Sequence, residues 1–344
     1  MADLFRTPLS RRTLVHGTGA MVGAAALGGL TVPAHAATAT WYSASGAKPD
    51  QDMVTRFKQK SGETVEFFRI GGVKLTQRIE QEIKANQVKL SVMDFSIPGL
   101  MNEWVKKGWV MKYDSPEMKH YPADLRMDGY WTPVNVLTVT IAYNADHVKP
   151  EEAPKTWEDL LNPKWKGKMV ASDALSSGAV LHSFNALQLG LGKSYMEKLA
   201  KQDVLIKAGS GATLQTMISG ERPISALILD YYVAEAYGKG ANLRIVMPDA
   251  GIPASLEIIA IPSAAPQPDI ARKFVDFALS KESQDNWQQH HGTLSLRDDV
   301  APVKMPPGRK AMKDIKLLRS SIPDMEDSYN NQRKLVEQWT NLFK

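Results

Sequence analysis

The chain has 344 residues, 42 lysines and arginines against 37 aspartates and glutamates, and no cysteine. Its length exceeds what one hydrophobic core organises comfortably, and its ordinary composition excludes disorder, so two globular lobes are expected. Without cysteine there is no disulfide framework, thiolate zinc site, iron–sulfur cluster or cysteine nucleophile.

Residues 1–36 read as an export signal. Arg11-Arg12 precede an apolar stretch rich in Ala and Gly, which ends in Ala34-His35-Ala36, the small-residue pattern of a signal-peptidase site. The paired arginines and the glycine-diluted apolar run favour the twin-arginine route over general secretion. An uncleaved anchor is the weaker alternative, because His16 and several glycines interrupt the span. The segment carries three arginines and one aspartate, which leaves 39 basic and 36 acidic residues in the mature chain. That small, interspersed excess removes the main argument for a nucleic-acid partner. Export as a folded monomer to the periplasm is the expectation.

The mature chain alternates strand and helix patterns. Residues 38–43 predict a strand, 50–60 a helix stopped by Ser61-Gly62, and 65–69 another strand. Gly71-Gly72 opens a helix in which Leu75, Ile79 and Ile83 repeat every four residues. A strand over 91–95 and a helix over 98–107 follow. This run predicts a parallel sheet with crossover helices. Further along come an alternating strand over 137–143, a short helix starting at 156, and buried strands over 168–172 and 224–229. A strand over 256–261, helices over 269–279 and 281–289, and one amphipathic helix over 325–343 complete the pattern. No linker separates two halves, so the chain is expected to cross between lobes more than once, with a ligand cleft between them.

Three helix starts rich in small residues stand out: Ser43-Ala44-Ser45-Gly46, Ser176-Ser177-Gly178-Ala179 and Gly209-Ser210-Gly211-Ala212. Small residues admit the ligand close to the backbone, and free N–H groups at a helix start attract an anion. Each start alone is equally well explained as capping. Asp230-Tyr231-Tyr232 closes the apolar run 224–229. Phenol oxygens there suit either Fe(III) coordination or hydrogen bonding to an organic ligand, and Asp230 suits a ligand amine. As a pair they also fit plain packing.

Enzyme motifs are sparse. Ser45-Gly46-Ala47-Lys48 matches the S-x-x-K pattern of penicillin-recognising enzymes without a partner motif, so a secreted serine hydrolase is a distant alternative. His290-His291 face different directions on a helix and read as a solvated helix end. His120, His147 and His182 have no ligand spacing. No catalytic residue and no resident cofactor are expected.

The sequence resembles the periplasmic solute-binding proteins of ABC importers, in the branch around ferric-binding protein. The resemblance rests on Ile141-Ala142-Tyr143-Asn144, the stretch 154–168, Ser219-Gly220-Glu221-Arg222-Pro223-Ile224 and Ala271-Arg272-Lys273-Phe274-Val275-Asp276-Phe277. It implies a type II periplasmic-binding-protein fold, two α/β lobes joined by a hinge, no catalysis, and delivery to an inner-membrane permease. It implies metal-ligating roles for Tyr231 and Tyr232 if iron is carried, and an anion on Ser177, Gly178 and Ala179. The family's histidine falls near Gly46, its glutamate has no counterpart in Phe95-Ser96-Ile97-Pro98, and its anion-binding asparagine corresponds to about Ser210. A small organic or phosphorylated anion (phosphonate, phosphate ester or carboxylate) is the first reading, and Fe³⁺ with a synergistic anion the alternative. The expected division is residues 37–134 and 257–315 in lobe 1, 135–256 in lobe 2, and 316–344 as a C-terminal helix on the lobes. The hinge is expected near 134–138 and 249–256.

Overall fold

The structure, a computed structural model, describes residues 37–344 apart from 126 and 301–304. The export signal expected over 1–36 lies outside the described residues. Strand β1 (Thr38–Ser43), helix α1 (Ala47–Ser61), β2 (Thr64–Arg69), α2 (Gly72–Lys84), β3 (Val92–Phe95) and α3 (Pro98–Lys106) follow the predicted order. β1 lies between β2 and β3 and pairs with both in parallel. Successive β1 side chains leave opposite faces of the sheet. Trp41 therefore packs with Phe57, Phe274 and Trp287, while Tyr42 packs with Leu75, Ile79 and Trp104. Two cores thus cover the two faces of one half-sheet.

β4 (Trp131–Asn144) is the pivot of the fold. The sequence predicts alternation over 137–143, but all fourteen β4 residues are buried. The reason is that β4 is central twice, with both faces covered. Its first part pairs antiparallel with β9 (Ala254–Ala260) as far as Thr138. From Val139 onward it pairs with β7 (Ile224–Leu229) on one side and β8 (Leu243–Val246) on the other. The β9 register slips between Pro133 and Asn135, where proline has no N–H to give the ladder. β1, β2 and β3 are parallel as the pattern predicts, and antiparallel β9 and β4 make the whole sheet mixed, in the order β2-β1-β3-β9-β4-β7 followed by β5 (Met169–Ser172) and β6 (Leu205–Lys207).

The second half contains β5 (Met169–Ser172), α4 (Gly178–Leu191), α5 (Lys193–Ala200), β6 (Leu205–Lys207), α6 (Ser210–Ile218) and α7 (Asp230–Gly238) around those strands. Helices α8 (Pro268–Leu279) and α9 (Lys281–His291) return to the first half, where α8 supplies Phe274 and Phe277 to its core. The single C-terminal helix predicted over 325–343 is two helices, α10 (Ile322–Asn330) and α11 (Gln332–Phe343). A Ser321–Asp324 capping box starts α10 earlier than the apolar pattern suggests. Asn331 ends it by donating from Nδ2 to the Asp327 carbonyl at 3.0 Å and its carboxylate at 2.9 Å.

Candidate functional site

The ends of β1 and β2 build one wall. Ser43 is fully buried and accepts the Ser45 N–H on its Oγ at 3.0 Å. The Ser45 hydroxyl donates to Glu257 of β9, whose other oxygen accepts Asn135 Nδ2 at 2.6 Å. Gly46, half-buried, starts α1 without a side-chain cap. Arg69, at the end of β2, is exposed and donates from Nε to the Ser45 carbonyl. An arginine thus stands beside the first small-residue helix start.

Behind this wall lie two more carboxyl groups. Asp94 accepts the Ala44 N–H at 2.9 Å. Burial raises its pKa, and the neighbouring Glu257 and Asp50 raise it further. Burial pushes Asp50 up to about 8, with Ser43 and Arg69 opposing the shift and Glu257 adding to it. Glu257 is raised by burial against the opposing hydrogen bonds from Ser45 and Asn135. Groups of this kind hold protons in the folded state that the unfolded chain releases near pH 4. Their stabilising contribution is full below that pH and is lost as pH rises to about 8. Asp50→Asn, which mimics the protonated form, is therefore expected to flatten the decline of Tm between pH 5 and 9. At pH 9 the variant should melt higher than the parent by roughly 3 °C or more. Thermal scans across that range check this.

The second half supplies the opposite wall. Gly209 has φ +90°, a backbone that favours glycine, and a Cβ placed on it would lie 3.6 Å from Ser176 Oγ. A Cβ on Gly211 would lie 3.7 Å from Tyr232 Cε1, so the α6 start, Ser176 and the tyrosines converge. The hydroxyl of Ser210 turns inward, toward Ser172 Oγ at 3.0 Å and the Leu229 N–H at 3.2 Å. Ser176 likewise donates its hydroxyl to the Asp173 carbonyl at 2.6 Å. What α6 offers a ligand is therefore backbone N–H together with exposed Ala212. The rings of Tyr231 and Tyr232 lie 4.5 Å apart at 32°. Burial holds the Tyr231 phenol well above its usual pKa. Tyr232 and Glu257 reinforce the shift and Arg69 opposes it, so Tyr231 lies within electrostatic reach of the first wall.

Other residues singled out from the sequence are placed differently. Asp230 does not reach the cleft: its carboxylate and Arg309 are both fully buried and pair at 2.8 Å. Ala179 is buried in the second-half core. Ser177 precedes α4 without a side-chain cap, and the α4 start is covered from the first half. A Cβ on Gly178 would lie 2.7 Å from Ile97 Cγ1 and 2.8 Å from the Ser96 carbonyl oxygen. Lys48 is exposed and lines a cavity with Glu235 and His291, while the Ser45 hydroxyl is given to Glu257. The serine–lysine pair a hydrolase would need is not formed. Of the two adjacent histidines only His290 is solvated; His291 is 2% exposed at the close of α9.

Sequence reasoning missed Arg69, Asn135, Asp94 and Glu257. Two signals for them were present: a charged residue inside the apolar run 256–261, and an arginine two residues before the Gly71-Gly72 helix start.

Residues 89–313 match the bacterial extracellular solute-binding protein family. A putative 2-aminoethylphosphonate-binding periplasmic protein of Salmonella typhimurium is 25% identical over 258 residues, covering 72% of this chain and 73% of the relative. A probable ABC transporter periplasmic-binding protein of Sinorhizobium fredii is 25% identical over 277 residues, covering 76% and 73%. Among solved structures, the periplasmic binding protein AfuA of Actinobacillus pleuropneumoniae, bound to fructose-6-phosphate, superposes with a TM-score of 0.75 at 22% identity. That match covers 89% of this chain and 98% of AfuA, and it supports the type II periplasmic-binding-protein fold. The family match spans more than half of the chain, so this chain belongs to the bacterial extracellular solute-binding proteins.

Proposed function

We propose that the protein captures a small phosphonate or phosphate ester between its two halves and delivers it to an inner-membrane permease, without catalysing a reaction. The observation that carries this reading is the approach of Ser176 and Tyr232 to the α6 start, with exposed Arg69 within electrostatic reach of the neighbouring Tyr231. Backbone N–H groups of Gly211 and Ala212, the Tyr232 phenol and the Arg69 guanidinium would together satisfy oxyanion oxygens. An amine on the ligand would face Glu257, not Asp230. The named phosphonate-binding relative and the phosphosugar held by AfuA support the same class. The two lobes would be residues 37–134 with 257–315 and residues 135–256, closing about β4 and β9. Residues 1–36 would direct twin-arginine export.

The test is thermal shift and calorimetry with 2-aminoethylphosphonate, fructose 6-phosphate, inorganic phosphate and ferric citrate. Binding at 100 times Kd raises stability by about 2.7 kcal/mol, so a true ligand produces a clear rise in Tm. A rise with a phosphonate or phosphate ester is expected, and none with ferric citrate.

The adjacent tyrosines keep Fe³⁺ as a second reading. If it held, ferric citrate would colour the protein by phenolate-to-iron charge transfer, and Tyr231→Phe would remove the colour. Persistently colourless protein is the expected outcome, since Gly46 and Phe95-Ser96-Ile97-Pro98, where the family's histidine and glutamate ligands would fall, supply neither imidazole nor carboxylate.

A further inference from the structure

The buried pair Arg309–Asp230 takes no part in the proposed ligand contacts, yet Asp230 immediately precedes Tyr231 and Tyr232. Arg309 follows a segment laid on the edge of β8, where the Ile245 N–H donates to the Pro307 carbonyl at 3.0 Å. From there its side chain enters the interior with no exposure. Its Nε donates to Asp230 Oδ2 at 2.8 Å and its Nη2 to the Gly292 carbonyl at 2.6 Å, while Nη1 meets Met305 Sδ at 3.2 Å. Three separate stretches of chain thus meet on one guanidinium. Asp230 is the first residue of α7, immediately before Tyr231 and Tyr232. Gly292 closes α9, and a Cβ placed on it would lie 3.0 Å from the Tyr231 carbonyl oxygen and 3.2 Å from the Glu235 nitrogen. The Thr138 side chain also favours the charged form of Asp230, although burial raises its pKa overall. Thr138 is the last β4 residue paired with β9 before the strand changes partners.

A buried ion pair is weak as a source of stability, because desolvation offsets most of the attraction. Its value here is geometric. A planar guanidinium holding two acceptors fixes their separation and direction, which a lysine ammonium does not.

We propose that Arg309 is a positioning residue for ligand capture: by bridging Asp230 and the Gly292 carbonyl it fixes the first turn of α7 on the end of α9. It thereby sets where Tyr231 and Tyr232 stand at the point where β4 passes from one half to the other. The effect on affinity rests on the proposed role of the tyrosines in binding; the effect on tyrosine placement does not.

The test uses the mature protein with Arg309→Lys and with the charge-free double variant Asp230→Asn/Arg309→Met. 3-Fluorotyrosine labelling gives a ¹⁹F spectrum, with the two cleft resonances assigned from Tyr231→Phe and Tyr232→Phe. Both variants should shift or broaden those two resonances while the remaining tyrosines stay in place. Calorimetry with 2-aminoethylphosphonate and fructose 6-phosphate should show at least about tenfold weaker binding in both variants. The double variant should nevertheless recover most of the parent Tm, since no unpaired charge is left buried. Unshifted cleft resonances in both variants would overturn the proposal, and so would affinity that recovers with Tm in the double variant. If the parent binds neither compound, the proposed ligand class fails, and the ¹⁹F result alone decides the positioning role.

Discussion

Replacing Arg69 with alanine is expected to weaken binding of the phosphonate or phosphate ester about 100-fold and to leave the Tm of ligand-free protein within about 2 °C of the parent. The asymmetry follows from where Arg69 sits. It is exposed, and the hydrogen bond its Nε donates to the Ser45 carbonyl is only part-buried. Truncating an exposed side chain of this kind changes stability little. In the closed cleft the same guanidinium is desolvated against an oxyanion, where a charge-assisted hydrogen bond contributes about 1.5–3 kcal/mol. Arg69→Lys should recover part of that affinity, since it keeps the charge but loses the planar fork. Calorimetry on the two variants measures both effects. Equal affinity in parent and Arg69→Ala would remove the arginine from the site.

Gly178→Val is expected to cost at least about 100-fold in affinity by a different route. In the structure the α4 start lies against Ser96 and Ile97, and even a methyl group would sit 2.8 Å from the Ser96 carbonyl oxygen. A rotamer change relieves the clash with Ile97, but none moves a backbone oxygen. The contact joins the stretch after β3 in the first half to α4 in the second. A side chain there therefore acts as a wedge between the halves, not as a defect within either core. Separating them relieves the strain, so ligand-free Gly178→Val should fold normally. Small-angle scattering should then show the parent compacting on ligand addition and the variant staying extended. Compaction of both would place this contact outside the closing motion.

These expectations draw on features that were unequally visible in the sequence. The alternating β/α pattern, the small-residue helix starts and the tyrosine pair are local signals, and β1 and β7 appear at their predicted residues. The length of β4 is not local. Its continuous burial comes from partners that arrive 81 to 129 residues later, so the apparent alternation over 137–143 misleads. The break at Asn331 is a side-chain-to-backbone competition inside an otherwise regular apolar stripe. The site shows the same division. Small residues at 209–212 could be read directly as an approach point for a ligand. Asp230 was the natural carboxylate to choose beside the tyrosines, but its partner Arg309 is 79 positions away in the chain. Glu257 meets Asn135 because β9 pairs with the strand that carries it, a register only the folded sheet defines.

Native mass spectrometry of the freshly purified mature protein, with ³¹P NMR of the released ligand, shows directly which class of ligand the protein carries. One phosphorus-containing small molecule per chain is expected, retained by the parent and absent from Arg69→Ala prepared in the same way. A parent protein that carries iron in place of any phosphorus compound, and exchanges it without loss in Arg69→Ala, would contradict it.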